Sequence, residues 1–184
     1  TIFGAAYAVQ PAYGIGFDKS VYLWIPVVGN IVAVLVIPFV GNLSDKIGRR
    51  PTMIAGCLGS GLLAFVYLYA ISIQNVPMAF AASIVMWGMV YQGYNAVFPS
   101  FYPELFHTRY RVTAMAIAQN IGTMLTAMLP ALFAMVAPPG SDNIPLVVGG
   151  LAFFITGVCA LAAYIAPETH RLAMDDLGNP DAKP

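Results

Sequence analysis

Long apolar segments alternate with short polar ones along the whole chain, and the charged residues mark the divisions between them. No Asp, Glu, Lys or Arg occurs at positions 1–17, 20–44, 51–103, 112–141 or 143–167. A helix needs about 20 predominantly apolar residues to cross the ~30 Å hydrocarbon core of a bilayer. The pattern therefore predicts one membrane crossing in each uncharged segment, except in 51–103, which holds two crossings separated by the polar turn at 74–77.

The predicted crossings are helices rather than barrel strands. A segment inside lipid must satisfy its backbone hydrogen bonds internally, and the period-two alternation of barrel strands is missing from this sequence. The first crossing is short, and we expect it to be the remainder of a span that starts upstream. The fold class expected is an all-α membrane protein, a bundle of six transmembrane helices over 1–166 followed by a tail at 167–184. The predicted spans are about 1–17, 21–41, 52–72, 78–101, 112–137 and 144–166.

Composition excludes most other classes of protein. Hydrophobic residues make up 59% of the 184 residues and charged residues only 9%, against about 25% charged residues in a soluble domain. The net charge of zero offers no basic face for nucleic acid, and two cysteines cannot form a disulfide framework or a four-ligand metal site. No catalytic triad or carboxylate pair is recognisable. We therefore expect no enzyme activity, no cofactor and no metal.

The basic residues predict an orientation. Six crossings place both chain ends on one side, and seven of the eight Lys and Arg residues fall in segments on that side, with only Lys19 on the other. Loops and tails rich in Lys and Arg stay in the cytoplasm. We therefore expect the loops at 42–51 and 102–111 and the C-terminal tail to be cytoplasmic, and the protein to lie in the plasma membrane, which is the inner membrane in a bacterium.

The segment between the second and third spans carries a specific motif. Residues 41–51 read G-N-L-S-D-K-I-G-R-R-P, in which Gly48 can adopt a left-handed turn and Pro51 suits the first turn of the following helix. Asp45 lies among cations, where it can form ion pairs and cap a helix N-terminus. On these residues alone, the segment could equally be a basic turn with no further role.

This motif resembles the signature loop of the major facilitator superfamily, which lies between helices two and three and recurs between helices eight and nine. The P-E-L-F-H-T-R-Y-R stretch at 103–111 and the P-E-T stretch at 167–169 are similar to segments that follow helices ten and twelve of that superfamily. The tail at 174–182 is similar to the ends of its metabolite:proton symporters. The resemblance implies that the chain is the C-terminal half, helices seven to twelve, of a twelve-helix carrier.

Two sets of site residues follow from the resemblance. It implies that a charged network ties the helix ends together when the carrier faces outward, and we expect Arg49 to pair with Glu104 or Glu168. Solvated loop charges without a conformational role are the alternative. The members of this predicted gate are Asp45, Arg49, Glu104, Arg109, Arg111 and Glu168.

Polar residues inside the spans are costly and therefore mark candidate substrate contacts. The resemblance implies that spans one, two, four and five line the transport cavity, and the polar residues fall on those spans. Pro11 should bend the first span, on which Tyr7, Gln10 and Gly14 share a helical face. Hydrogen bonding between helices is the alternative role. The predicted substrate residues are Tyr7, Gln10, Asn30, Tyr91, Gln92, Asn95, Gln119 and Asn120.

The function expected is secondary active transport of a small polar metabolite, an organic acid or a betaine- or proline-like compound, by alternating access with proton symport. No carboxylate or histidine lies deep in a span, so a group that titrates during transport would belong to the N-terminal six-helix half of the carrier. This half is an expected partner, as are the lipid bilayer, the small-molecule substrate and protons. Nucleic acid is not expected as a partner. A sugar or drug carrier of the same superfamily and a self-contained six-helix channel or scaffold remain alternatives. Glycines of the third and sixth spans, among them Gly56 and Gly150, are expected to allow close helix packing.

Overall fold

Helices form nearly all of the computed structural model, which describes residues 2–107, 109–141 and 143–169. No strand occurs among the residues described. A 3₁₀ turn at Pro11–Tyr13 follows the first helix, and a π-helical segment at Ile84–Val90 interrupts another. The α-helices are α1 (Ile2–Val9), α2 (Lys19–Ile47), α3 (Arg49–Ser72), α4 (Val76–Ser83), α5 (Gln92–Asn95), α6 (Phe98–Glu104), α7 (Arg111–Ala127), α8 (Leu129–Val136) and α9 (Ile144–Ile165).

Five helical stretches of the described chain are long and apolar enough to cross a membrane. Three of them are the single helices α2, α3 and α9; the fourth runs from α4 through the π-helical segment to α6, and the fifth joins α7 to α8. Their ranges overlap the second to sixth predicted spans, and their number is that expected of a multi-pass membrane protein. The five stretches are Lys19–Ile47, Arg49–Ser72, Val76–Glu104, Arg111–Val136 and Ile144–Ile165.

The structure differs from the prediction in the first span, and the predicted count of six transmembrane helices is not confirmed. The described part of segment 1–17 contains only α1, a helix of 8 residues, followed by Gln10 in an extended conformation and then the 3₁₀ turn. Proline lacks an amide hydrogen and disfavours helical geometry in the residue before it, so the helix ends ahead of Pro11. The expectation that Gln10 and Gly14 share a helical face with Tyr7 is therefore wrong.

The predicted loop at 42–51 is also wrong, because nearly all of it is helical. α2 continues to Ile47 and α3 begins at Arg49. The polar side chains of the motif do not prevent a helix, so α2 continues through them until the backbone torsion angles depart from helical values. That change occurs at Gly48, whose φ of +111° is unfavourable for other residues. Pro51 lies in the first turn of α3, as predicted.

α3 is central to the packing, since it lies along α9 and also contacts α4, the π-helical segment and α5. The backbones of α3 and α5 touch: a Cβ atom added to Gly56 would lie 2.6 Å from the Tyr94 amide nitrogen and 2.8 Å from Gly93 Cα. By contrast, α7 and α8 bury no side chain within the described chain. One face of the bundle therefore lacks a partner among the described residues.

Candidate functional site

Charged and hydroxyl side chains from several helix ends meet at one end of the bundle. This helix-end cluster consists of Ser44, Asp45, Arg49, Glu104, Glu168 and Thr169. Arg49 is at its centre: its Nη1 donates to Ser44 Oγ at 2.9 Å and to the Asp45 carboxylate, and its Nη2 lies 3.3 Å from Glu104 Oε1. Thr169 Oγ1 donates to Glu104 Oε2 at 2.5 Å. Of the two partners expected for Arg49, Glu104 is therefore the one that contacts its guanidinium.

Glu168 enters this cluster through the main chain of α3. Its Oε1 accepts from the Arg49 amide at 2.9 Å, and its Oε2 accepts from the Arg50 amide at 3.1 Å. A carboxylate at this position satisfies unpaired amide groups and interacts favourably with the positive end of the helix dipole. The helix cap expected of Asp45 is provided instead by Glu168. The turn at Gly48 places the first amides of α3 within hydrogen-bond distance of this residue, which follows α9.

Arg50 also contributes to the cluster, although the sequence predicts no role for it. Its Nε donates to the Ala163 carbonyl at 3.2 Å, its Nη2 donates to the Tyr164 carbonyl, and its guanidinium lies 5.3 Å from the centre of the Tyr164 ring. The two hydrogen bonds satisfy carbonyl groups in the last turn of α9, which have no partner within the helix. The sequence indicates only that Arg50 is a second cation next to Arg49 in the motif. This does not distinguish a side chain that contacts another helix from one that is exposed to solvent.

The structure does not bring Arg109 and Arg111 into the helix-end cluster. Arg109 is exposed, and its amide donates to His107 Nδ1 at 3.4 Å. Arg111 Nε donates to the Phe106 carbonyl at 3.2 Å. Among the residues described, neither guanidinium contacts a carboxylate. A gating role for these two residues is therefore still a prediction.

A second polar group lies within two of the membrane-length helical stretches, away from their ends, and joins α2 to the π-helical segment. Trp87 Nε1 donates to Asn30 Oδ1 at 2.9 Å. Gln92 Nε2 donates to the Trp87 carbonyl at 2.7 Å, and Asn95 Nδ2 donates to Gln92 Oε1 at 3.1 Å. The Trp87 and Tyr91 rings are stacked, with centroids 4.6 Å apart. We call this set, Asn30, Trp87, Tyr91, Gln92 and Asn95, the mid-membrane chain.

Irregular helix geometry makes the mid-membrane chain possible. In a π-helix each amide bonds five residues back, as the Tyr91 amide does to the Met86 carbonyl at 2.8 Å. The Gln92 side chain then reaches the Trp87 carbonyl. Single π-helical turns inside α-helices frequently occur at functional sites. Trp87 is not among the predicted substrate residues, and its indole N–H inside an apolar span is the signal that could have identified it.

Members of the mid-membrane chain differ in accessibility. Gln92 is 1% exposed and both polar ends of its side chain are hydrogen-bonded, so it supports its neighbours. Asn30 and Asn95 are exposed at the surface of the described chain. These two amides can therefore meet a ligand, whereas Gln92 can act only through them.

The other predicted substrate residues lie apart from this chain. Tyr7 is buried and lines a cavity of about 790 Å³, a volume typical of small-molecule sites. Gln10 is exposed just beyond the end of α1. Gln119 and Asn120 are exposed on α7, where the Asn120 amide donates to the Ala116 carbonyl of its own helix. The cavity is further lined by Tyr13, Phe65, Tyr69, Met78 and Asn143, among others.

The described part of the chain contains no group of three or more His, Cys, Asp or Glu residues placed to hold a metal ion. His170, Arg171 and Lys183, which belong to the predicted tail, lie outside the described ranges.

Comparison with known proteins identifies relatives along nearly the whole chain. A family model for the Major Facilitator Superfamily matches residues 1–180. The chain is 32% identical to the cis,cis-muconate transport protein of Acinetobacter baylyi over 155 residues, which cover 84% of this chain and 34% of the relative. It is 30% identical to the proline/betaine transporter of Salmonella typhimurium over 105 residues, 57% of this chain and 21% of the relative.

A probable 4-methylmuconolactone transporter of Cupriavidus pinatubonensis is 25% identical over 206 aligned positions, which cover 98% of this chain and 46% of that protein. No solved structure gives a significant match. The chain thus spans less than half the length of each of these relatives. The expectation that it is not an enzyme is confirmed, because the family and these relatives are transporters. The match over residues 1–180 shows that the chain belongs to the major facilitator superfamily.

Proposed function

We propose that the chain is the C-terminal half of a secondary active transporter for small polar metabolites, with organic acids and betaine- or proline-like compounds as the substrate class. The observation that carries this proposal is the identity to the muconate and proline/betaine transporters. These relatives extend well beyond the matched region, so an N-terminal six-helix half is the proposed partner. The transporter is proposed to lie in the plasma membrane with its C-terminus in the cytoplasm, since seven of eight basic residues fall on that side.

The proposed mechanism is alternating access, in which the two halves rock about a site near the middle of the membrane. Segment 1–17 is proposed to complete the sixth crossing of this half, and residues 167–184 to form its tail. The helix-end cluster is proposed to close the cytoplasmic end, because it joins α2, α3, α6 and the chain after α9 through one guanidinium and two glutamates. Proton symport is part of the proposal, with the titrating group placed in the N-terminal half.

The substrate is proposed to contact Asn30 and Asn95, supported by Tyr91 and Gln92, together with Tyr7, Gln10, Gln119 and Asn120. Exposure supports direct contact for the amides of the first two residues. α7, which carries Gln119 and Asn120, buries no side chain against the described residues, so this helix is available to face the other half across a cavity.

Uptake by the full-length carrier in proteoliposomes tests the substrate class. We expect uptake of radiolabelled cis,cis-muconate or glycine betaine, driven by an inwardly directed proton gradient and abolished by a protonophore. Glucose serves as the control substrate and should not be taken up. Uptake of glucose alone would contradict the substrate class, and uptake that is indifferent to the proton gradient would contradict symport.

Alanine substitutions test the substrate residues one at a time. We expect Tyr7→Ala, Gln10→Ala and Asn95→Ala to weaken the apparent affinity for the transported probe by about 3- to 30-fold, since one hydrogen bond contributes about 0.5–1.5 kcal/mol and more when its partner is charged. The measurement is the ligand-induced shift in melting temperature of the purified carrier. Asn42→Ala is the matched control, because Asn42 is an exposed amide near the charged end of α2.

The result for Gln92→Ala should differ in kind from those three. Because its side chain is buried and doubly bonded, its loss should lower the melting temperature of the unliganded carrier as well as the affinity. Unchanged affinity in all four variants would contradict the assignment of the site.

A further inference from the structure

The direction of every hydrogen bond in the mid-membrane chain is determined by chemistry. An indole N–H can only donate, so the Asn30 side chain must present Oδ1 to Trp87 Nε1, at 2.9 Å. The amide NH₂ of Asn30 is then directed away from Trp87. It makes no hydrogen bond to any described residue, and Asn30 is exposed. Asn30 therefore offers a donor, not an acceptor.

The opposite end of the chain has the opposite character. The Trp87 carbonyl can only accept, so Gln92 must donate through Nε2 and is left with Oε1, which accepts from Asn95 Nδ2. The Oδ1 of Asn95 then has no donor among the described residues. One tryptophan, through its indole and its carbonyl, thus assigns donor and acceptor roles to two exposed amides.

Trp87 has little freedom to move. Its ring is stacked on Tyr91 with an angle of 9° between the planes, and a Cβ atom on Gly29 would lie 3.3 Å from Trp87 Cδ1. A small cavity of about 70 Å³ lies beside Asn30 and Trp87, well below the ~300 Å³ at which small-molecule sites begin. A metabolite cannot enter it and would reach Asn30 only from the exposed side.

We propose that Trp87 is a positioning residue that holds the Asn30 amide as a hydrogen-bond donor towards the substrate, and that the group it recognises is a carboxylate. If the amide were rotated, its oxygen would face and repel the carboxylate; Trp87 prevents this rotation, because it would set two donors against each other. The segments 20–44 and 51–103 carry no charge. A donor bonded to an ionised acceptor is about twice as strong as one bonded to a neutral group, and no carboxylate of these two segments competes for the Asn30 donor.

This inference rests on the proposed function, because organic acids and betaines share the carboxylate. The test uses the full-length carrier in proteoliposomes with radiolabelled cis,cis-muconate and glycine betaine as probes. Trp87→Phe keeps an aromatic ring against Tyr91 but removes the indole N–H. We expect it to raise the KM of the transported probe about tenfold with little change in kcat, and Asn30→Asp, which presents an acceptor, to raise KM further.

A positioning role also predicts coupling between the two residues. In an Asn30→Ala background, Trp87→Phe should have no additional effect on KM, whereas two independent effects would multiply. Trp24→Phe is the matched control, since Trp24 is exposed at the start of α2, and it should leave KM unchanged. Size-exclusion chromatography verifies folding, and if Trp87→Phe does not fold, Asn30→Asp decides the matter: unaltered KM overturns the proposal.

The outcomes separate this inference from the proposed function. A wild type that takes up a carboxylate probe, combined with a Trp87→Phe variant of unchanged KM, overturns the role of Trp87 alone. The same holds if Trp87→Phe raises KM equally with and without Asn30. A wild type that takes up neither carboxylate probe overturns both the inference and the proposed substrate class.

Discussion

Replacing Arg49 with alanine is expected to shift the resting carrier towards its inward-facing state by about tenfold or more in population ratio, which corresponds to about 1.4 kcal/mol. Arg49 and Glu104 are only 14% and 19% exposed in their side chains, so their contact is less screened than a surface ion pair, which contributes about 0–1 kcal/mol. Removing the guanidinium also leaves a partly buried carboxylate without its cation. Double electron–electron resonance between spin labels on the two halves of the full-length carrier measures the shift.

Lys46→Ala is the matched control for this experiment. It removes the same charge three positions earlier in the motif, and Lys46 is exposed and makes no ion pair among the described residues. Cys159, which is exposed, must first be replaced by serine so that it does not take up label. A distance distribution that is the same in Arg49→Ala, Lys46→Ala and the wild type would contradict the gating role.

Gly56→Ala is expected to destabilise the carrier by about 1–3 kcal/mol or more, the range observed for overpacking of a well-packed interior. The added Cβ atom would lie 2.6 Å from the Tyr94 amide nitrogen and 2.8 Å from Gly93. Because both contacts are with backbone, neither can be relieved by a change of rotamer, and α3 must separate from α5. The thermal unfolding midpoint should fall by several degrees.

Cys57 provides the measurement for this prediction. It is 4% exposed and lies directly after Gly56, so a thiol-reactive fluorescent dye reports opening of α3 during a thermal ramp, with Cys159 replaced by serine. Gly150→Ala is the control, because a Cβ atom there would meet no atom of the described chain within 4 Å. Both variants exchange glycine for alanine inside a helix, so the difference between them isolates the helix contact. Equal midpoints for the two variants would show that the close approach of α3 and α5 is unimportant.

The glycines of the third and sixth spans differ in how closely another helix approaches them. Their presence in the third and sixth spans predicts close packing, and Gly56 does lie against another backbone. A Cβ atom on Gly150 or Gly157, however, would have no neighbour within 4 Å among the described residues. A glycine permits close approach without requiring it, because the approach depends on which helix lies opposite. The sequence of one helix carries no information about its neighbour's position.

The same limit applies to the polar residues. Their rarity in apolar segments is enough to single out Asn30, Gln92 and Asn95 as candidates. Trp87 joins them only because a π-helical segment and the close approach of Gly29 and Gly88 bring its indole to Asn30. A π-helical turn contains one more residue than an α-helical turn and therefore changes the direction in which the following side chains point. It leaves no recognisable pattern in the composition or periodicity of the sequence.

By itself, the sequence determined the membrane class, the superfamily and the approximate ranges of five long apolar helices. These follow from the length of apolar segments and from a short motif, both of which are local properties of the chain. Only the tertiary structure decided that the described part of the first segment holds a short helix, and that Gly48 alone separates α2 from α3. It also decided that Glu104 contacts the Arg49 side chain while Glu168 caps α3, and that Trp87 donates to Asn30. The physical reason is that a cap, a helix crossing and a hydrogen bond each need two partners distant in sequence, and folding alone brings them together.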